Sequence, residues 1–201
     1  NAKEYERANK AFQNSIKLNP NHTSSYNALA IMEKPNRIAS ILLSSRYLSI
    51  DNKSARAKSN LDSVLALMMQ GVNKNSDQSI NIGIDMPAEN KRKKGVENDF
   101  TTANLVLSMS AAVDFDEKNK NKTDVEKFTE KFTTMVSALK ESRKKQKGYY
   151  WENIVPYFIE MKDKNMIEPY ANSIFLSKKD ENATLFTEKN RDKMAEFYDW
   201  S

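Results

Sequence analysis

Through most of the chain, apolar residues return every three or four positions, the period of an α-helix with one buried face. The clearest run is Val125, Phe128, Phe132, Met135, Val136 and Leu139. Just before it, Thr123-Asp-Val-Glu126 has the form of a capping box, in which the threonine and the glutamate bond each other's backbone N–H groups. A helix is therefore predicted from Thr123 onward, running out through Arg143-Lys-Lys-Gln-Lys147 and stopping at Gly148. The same period predicts helices over about 2–18, 23–33, 36–50 and 53–70, the last stopped by Gly71. Their inward residues are Ala8, Ala11, Phe12, Ser15 and Ile16; Tyr26, Leu29 and Ala30; Ile38, Ile41, Leu42 and Leu48; and Ala57, Leu61, Val64, Leu65 and Met68.

Further on, Asp99 can cap a helix through Val113 that turns Phe100, Ala103, Leu107 and Ala111 inward. Residues 149–161 are rich in aromatics, and Pro156 there either kinks a helix or ends one after its first turn. Two more helices are expected over about 167–176 and 187–200. One segment breaks the helical period: Ile80, Ile82, Ile84 and Met86 alternate with Asn81, Gly83 and Asp85. Period two means an extended segment with one apolar side. No partner strand is evident, so it reads as a cover across helices, with an edge for strand addition as the alternative.

Residues 5–30 carry a more specific order: Ala8, Phe12 and Pro20, then Tyr26, Leu29 and Ala30. A small residue, an aromatic, a helix-stopping proline and then aromatic-x-x-Leu-small resembles the tetratricopeptide repeat family. In that arrangement Ala8 and Ala30 let two antiparallel helices approach, Phe12 and Tyr26 fill the groove between them, and Pro20 ends the first helix. Tyr47-Leu-Ser-Ile-Asp51-Asn52 echoes Ser15-Ile-Lys-Leu-Asn19-Pro20 at an offset of 32 positions, from 15 to 47, and reads as a second, degenerate repeat. Glu33 stands where the pattern has a second aromatic, and Pro35 arrives early. The resemblance covers the first quarter of the chain well and the first third loosely. The pieces Tyr150-Trp151, Pro156-Tyr-Phe158, Glu168-Pro-Tyr170 and Phe197-Tyr-Asp-Trp200 are similar to the closing segment of uncharacterised bacterial proteins of that family, many of them exported. This implies a periplasmic or otherwise exported location.

Composition agrees with helix: 4 Gly and 5 Pro in 201 residues, 39% hydrophobic and 29% charged. The net charge of +5 comes from 32 basic and 27 acidic residues, mostly intermixed, which is ordinary for solubility. No apolar run approaches the roughly 20 residues of a membrane span. Without cysteine, disulfides and thiol nucleophiles are excluded. The chain starts at Asn1 rather than Met, as expected of a processed or trimmed piece with any signal peptide upstream.

No phosphate loop, nucleophile elbow or His-Glu-x-x-His motif is present. The one histidine, His22, lies at a turn before a helix, where an exposed polar residue is ordinary. Asp114 with Asp116, and Asp180 with Glu181, are carboxylate pairs in Lys- and Asn-rich stretches and read as solvated charge. The basic clusters Lys91–Lys94 and Arg143–Lys147 lack interleaved aromatics, so a solvated face is favoured over nucleic acid.

The sequence therefore predicts an all-α protein. Tetratricopeptide-like antiparallel hairpins fill 1–70, an irregular connector with an extended segment near 79–87 fills 71–98, and a divergent helical bundle fills 99–201. The resemblance implies a non-enzymatic protein-interaction or scaffold module with a protein or peptide partner, and the missing motifs lead to the expectation of no cofactor, no metal and no nucleic acid. Ser24, Asn27 and Lys34 are the candidate partner-binding residues. The alternative is a small-ligand or carbohydrate-binding protein, or a hydrolase, using the aromatics of 149–161 with Glu152 or Glu160.

Overall fold

The computed structural model describes residues 2–76, 79–83 and 96–201. Within these the protein is all-α apart from one small hairpin. The elements are α1 (Ala2–Leu18), α2 (Thr23–Met32), α3 (Arg37–Ile50), α4 (Ala55–Met69), β1 (Val72–Ser76), β2 (Ser79–Ile82), α5 (Thr101–Ala112), α6 (Asp124–Ser142), α7 (Tyr149–Asn153), α8 (Val155–Asp163), α9 (Ile167–Phe175), α10 (Glu181–Lys189) and α11 (Arg191–Trp200). They form two units. The first takes the chain up to Val64 together with Asn172–Ser201, and the second is Leu65–Ala171. Among the described residues no helix is long and apolar enough to cross a membrane.

In the first unit α3 is the centre: every residue from Arg37 to Leu48 is buried. A helix enclosed on all sides has no polar face to reveal it, and here serines take the place of larger side chains. Ser40 satisfies its hydroxyl on the Ala30 carbonyl at 2.7 Å. Tyr26, Leu29 and Ala30 of α2 are buried, and the Tyr26 hydroxyl donates to the Pro20 carbonyl at 3.0 Å. On α1, Ile16 is buried, Ala8 and Phe12 are half-buried, and Ala11, expected inward, is exposed. From the C-terminal end of the chain, Phe175, Ala183, Met194 and Phe197 enter the core. The Asp180 carboxylate accepts from Ala183 N–H at 2.9 Å and caps α10, a helix the apolar period alone does not reveal.

In the second unit α6 lays Phe128 and Phe132 into an aromatic cluster. Phe132 meets Phe128 at 5.3 Å, Phe158 at 5.6 Å and Tyr170 at 5.5 Å between ring centroids. The expected capping box is present: Thr123 Oγ1 accepts from Glu126 N–H at 3.2 Å, and Thr123 N–H donates to the Glu126 carboxylate at 2.8 Å. Pro156 sits in the first turn of α8, where its missing N–H costs nothing.

The extended segment does have a partner. β1 and β2 pair antiparallel, Val72 opposite Ile82 and Lys74 opposite Ile80. The polar run Val72-Asn-Lys-Asn-Ser76 has no alternating apolar side, so period alone could not find the strand. Gly71, at φ +77°, closes the hairpin by accepting the Gly83 N–H at 2.7 Å. The expected alternation at Ile84 and Met86 lies outside the described residues, as does the basic run Lys91–Lys94.

Candidate functional site

On α5 two stripes run along the helix. Ala103, Leu107 and Ala111 face the core, while Val106 and Met109, followed by Val113, repeat the three-and-four spacing on another side. Met109 is 56% exposed and Val113 53%. Two adjoining depressions share Val113. One, of about 590 Å³, lies between α5 and α6 and includes Val106, Met109, Glu130, Lys131 and Thr134. The other, of about 510 Å³, runs towards the hairpin and includes Lys74, Ile80, Phe115, Asp116 and Glu117. Together they make an apolar trough with charged residues on its rim.

An ion pair forms part of the wall. Lys131 lies three positions after Phe128 and four before Met135, inside the apolar stripe of α6, and its side chain is 6% exposed. A buried ammonium requires an anion close by. Asp114, with 17% of its side chain exposed, supplies it from the 3-10 turn Val113–Phe115. That turn is held by the Asn119 side chain, which donates to the Val113 carbonyl at 2.7 Å. Asp114, one of the four carboxylates expected to be solvated charge, is thus the partner of a buried lysine. The signal was the lysine: a charge in the middle of an apolar helical stripe.

Among the residues lining the trough are the carboxylates Asp114, Asp116, Glu117 and Glu130 and the lysines Lys74 and Lys131. Glu130 also meets Lys122 at 2.5 Å and Glu117 meets Lys120 at 2.6 Å, with at least one exposed member in each pair. Such pairs are worth about 0–1 kcal/mol and exchange readily for an incoming cation.

The candidates named from sequence lie elsewhere. Ser24 is exposed on α2, and Lys34 is exposed in the turn after it. Asn27, half-buried and between them along the chain, accepts from the Asn60 side chain at 3.0 Å. α2 rises about 1.5 Å per residue, so Ser24 and Lys34 stand at opposite ends of that helix, with Asn27 midway. Tyr150, Trp151 and Phe158 are buried. Trp151 stacks on Phe100 at 4.8 Å and donates to the Asp99 carbonyl at 3.2 Å. His22 shares its Nδ1 between the Ser25 and Ser15 hydroxyls at 2.7 and 3.2 Å. The cluster Arg143–Lys147 lies at the end of α6, with its basic side chains exposed. Among the described residues no three acidic or histidine side chains converge to hold a metal ion.

No protein family matches. Comparison with family models, with curated proteins and with solved structures finds nothing similar to this chain.

Proposed function

We propose that the chain is a non-enzymatic interaction module that docks an amphipathic helix of a partner protein in the trough beside α5. The observation that carries this reading is the apolar stripe of half-buried Val106 and exposed Met109 and Val113, continued by Ile80, inside a rim that carries the exposed carboxylates Asp116, Glu117 and Glu130. Exposed apolar surface set among polar groups marks an interaction site. A helix laid into such a groove offers apolar anchors at three-and-four spacing. The rim selects a partner with Lys or Arg flanking those anchors. The antiparallel α1–α2 hairpin, with Tyr26, Leu29 and Ala30 in its packing, supports the tetratricopeptide-like scaffold reading. A ligand cleft at 149–161 has less support, because Tyr150, Trp151 and Phe158 are part of the core.

The test is selection of displayed helical peptides against the purified chain, followed by fluorescence polarisation with the winners. The expected result is a consensus of spaced apolar residues flanked by Lys or Arg. Met109→Glu with Val113→Glu should weaken these peptides about tenfold or more, the scale of losing an interface anchor. Both side chains are exposed, so the circular dichroism spectrum should not change. Selected peptides that bind the double variant as tightly as the parent would overturn the assignment.

A further inference from the structure

A different surface, in the first unit, has the chemistry of a small-molecule site and is independent of the docking trough. A groove of about 370 Å³ is lined by Asn21 before α2, by Ser49 in the last turn of α3, by Asp51-Asn52-Lys53 after it, and by Tyr198 of α11. The volume is within the range of about 300–1,000 Å³ usual for ligand sites.

The polarity of its two amides is set from behind. Arg46, 8% exposed, donates through Nη2 to Asn21 Oδ1 at 3.2 Å and through Nη1 to Ser49 Oγ at 2.8 Å and the Ser201 carbonyl at 3.2 Å. A guanidinium can only donate, so Asn21 must give it oxygen and keep its NH2 for the groove. Asn52 is set the opposite way. Its Nδ2 donates to the Ser173 carbonyl, which can only accept, at 3.1 Å, and this leaves Oδ1 for the groove. One amide donor and one amide acceptor, each locked by a bond on its far side, match the alternating donor and acceptor character of neighbouring hydroxyls.

The two charged side chains that line the groove, Asp51 and Lys53, are of opposite sign. Burial pushes the Asp51 carboxyl up, but bonds from Ser54, Tyr47 and Lys53 outweigh it, so Asp51 titrates below its ordinary 3.8 and is ionised beside Lys53. The guanidinium donates to the oxygens of Asn21, Ser49 and Ser201. Tyr198, 45% exposed, offers a ring face to the C–H side of a ligand. We infer that the groove between Asn21, Asn52 and Tyr198 binds a neutral, hydroxyl-rich ligand, a single sugar unit.

The experiment titrates the 15N-labelled full chain with glucose, galactose, mannose and N-acetylglucosamine, with acetate and inorganic phosphate as anionic comparators. The expected result is saturable amide shifts at Ser49, Asn52, Lys53 and Tyr198 with one or more of the sugars, at a Kd on the order of 1 mM. Asn21→Asp keeps an oxygen for Arg46 and removes the groove-side donor. Tyr198→Ala removes the ring from an exposed position. Each should weaken the sugar by roughly threefold to tenfold while leaving the other amide resonances in place. Three outcomes would each overturn the inference: no groove shift with any of the four sugars, shifts with phosphate or acetate in their place, or sugar shifts unchanged in both variants.

Discussion

Lys131 and Asp114 offer a test in which the two halves of one ion pair should not cost the same. The Lys131 side chain is 6% exposed and that of Asp114 17%. Removing one member of a buried pair costs about 3–5 kcal/mol, because the other is left charged and unpaired. Asp114→Ala strands the deeper charge. The lysine stem can extend part-way along the open trough, so the cost falls to about 2–4 kcal/mol. Lys131→Met keeps the apolar stem and strands the shallower carboxylate, which water can reach, for about 1–2 kcal/mol. With both replaced, no charge is buried and methionine lies in an apolar stripe, so the loss should be about 0–1 kcal/mol. The coupling is then at least roughly 2 kcal/mol, well beyond the additivity expected of independent sites. Urea unfolding read by Trp151 fluorescence measures it, in a Trp200→Phe background that leaves one of the 2 tryptophans. Single costs that add to within about 0.5 kcal/mol, or an Asp114→Ala variant no less stable than Lys131→Met, would refute the account of Lys131 as a buried charge held by one carboxylate.

The capping box of α6 should be visible in the pH dependence of stability. Bonds from the Thr123 N–H and hydroxyl, with Lys122 nearby, hold the Glu126 carboxyl below its ordinary 4.5. Its stabilising contribution is therefore complete above that value and is lost as pH falls through the lower folded value, so Glu126→Gln should flatten the acid limb of a stability-versus-pH curve. Thr123→Ala should cost about 1 kcal/mol in urea unfolding at neutral pH. Gly148 holds φ at +114°, and a Cβ there would stand 2.6 Å from Asn98 Oδ1. Gly148→Ala should thus cost about 1–3 kcal/mol, with Trp151 emission, next to the displaced Asn98–Tyr150 bond, as the sensitive probe.

The stretches most legible in the sequence were those whose burial is one-sided. α6 reads directly from Val125 to Leu139 because one stripe meets the core and the rest meets water, and its cap is local chemistry within four residues. α2 and α4 follow for the same reason. The first turns of α10 are not legible from the apolar period, since its buried residue is Ala183 and most of the rest is polar; the signal is Asp180 at the cap with Glu181 in the first turn. β1 carried no period at all and exists because β2 pairs with it. The trough is not legible in the sequence, because Val106, Met109 and Val113 look like core residues when their neighbours are unknown.

By itself, the sequence determined the helical class, most helix positions and the start of α6, because periodicity, caps and breakers act over a few residues. Only the tertiary structure decided which apolar stripe stays open, which carboxylate meets Lys131, and that residues 172–201 share a unit with the first helices. It also decided which way the Asn21 and Asn52 amides point. Those outcomes depend on partners up to 155 positions apart, as between Arg46 and Ser201, and residue spacing carries no record of contacts that distant.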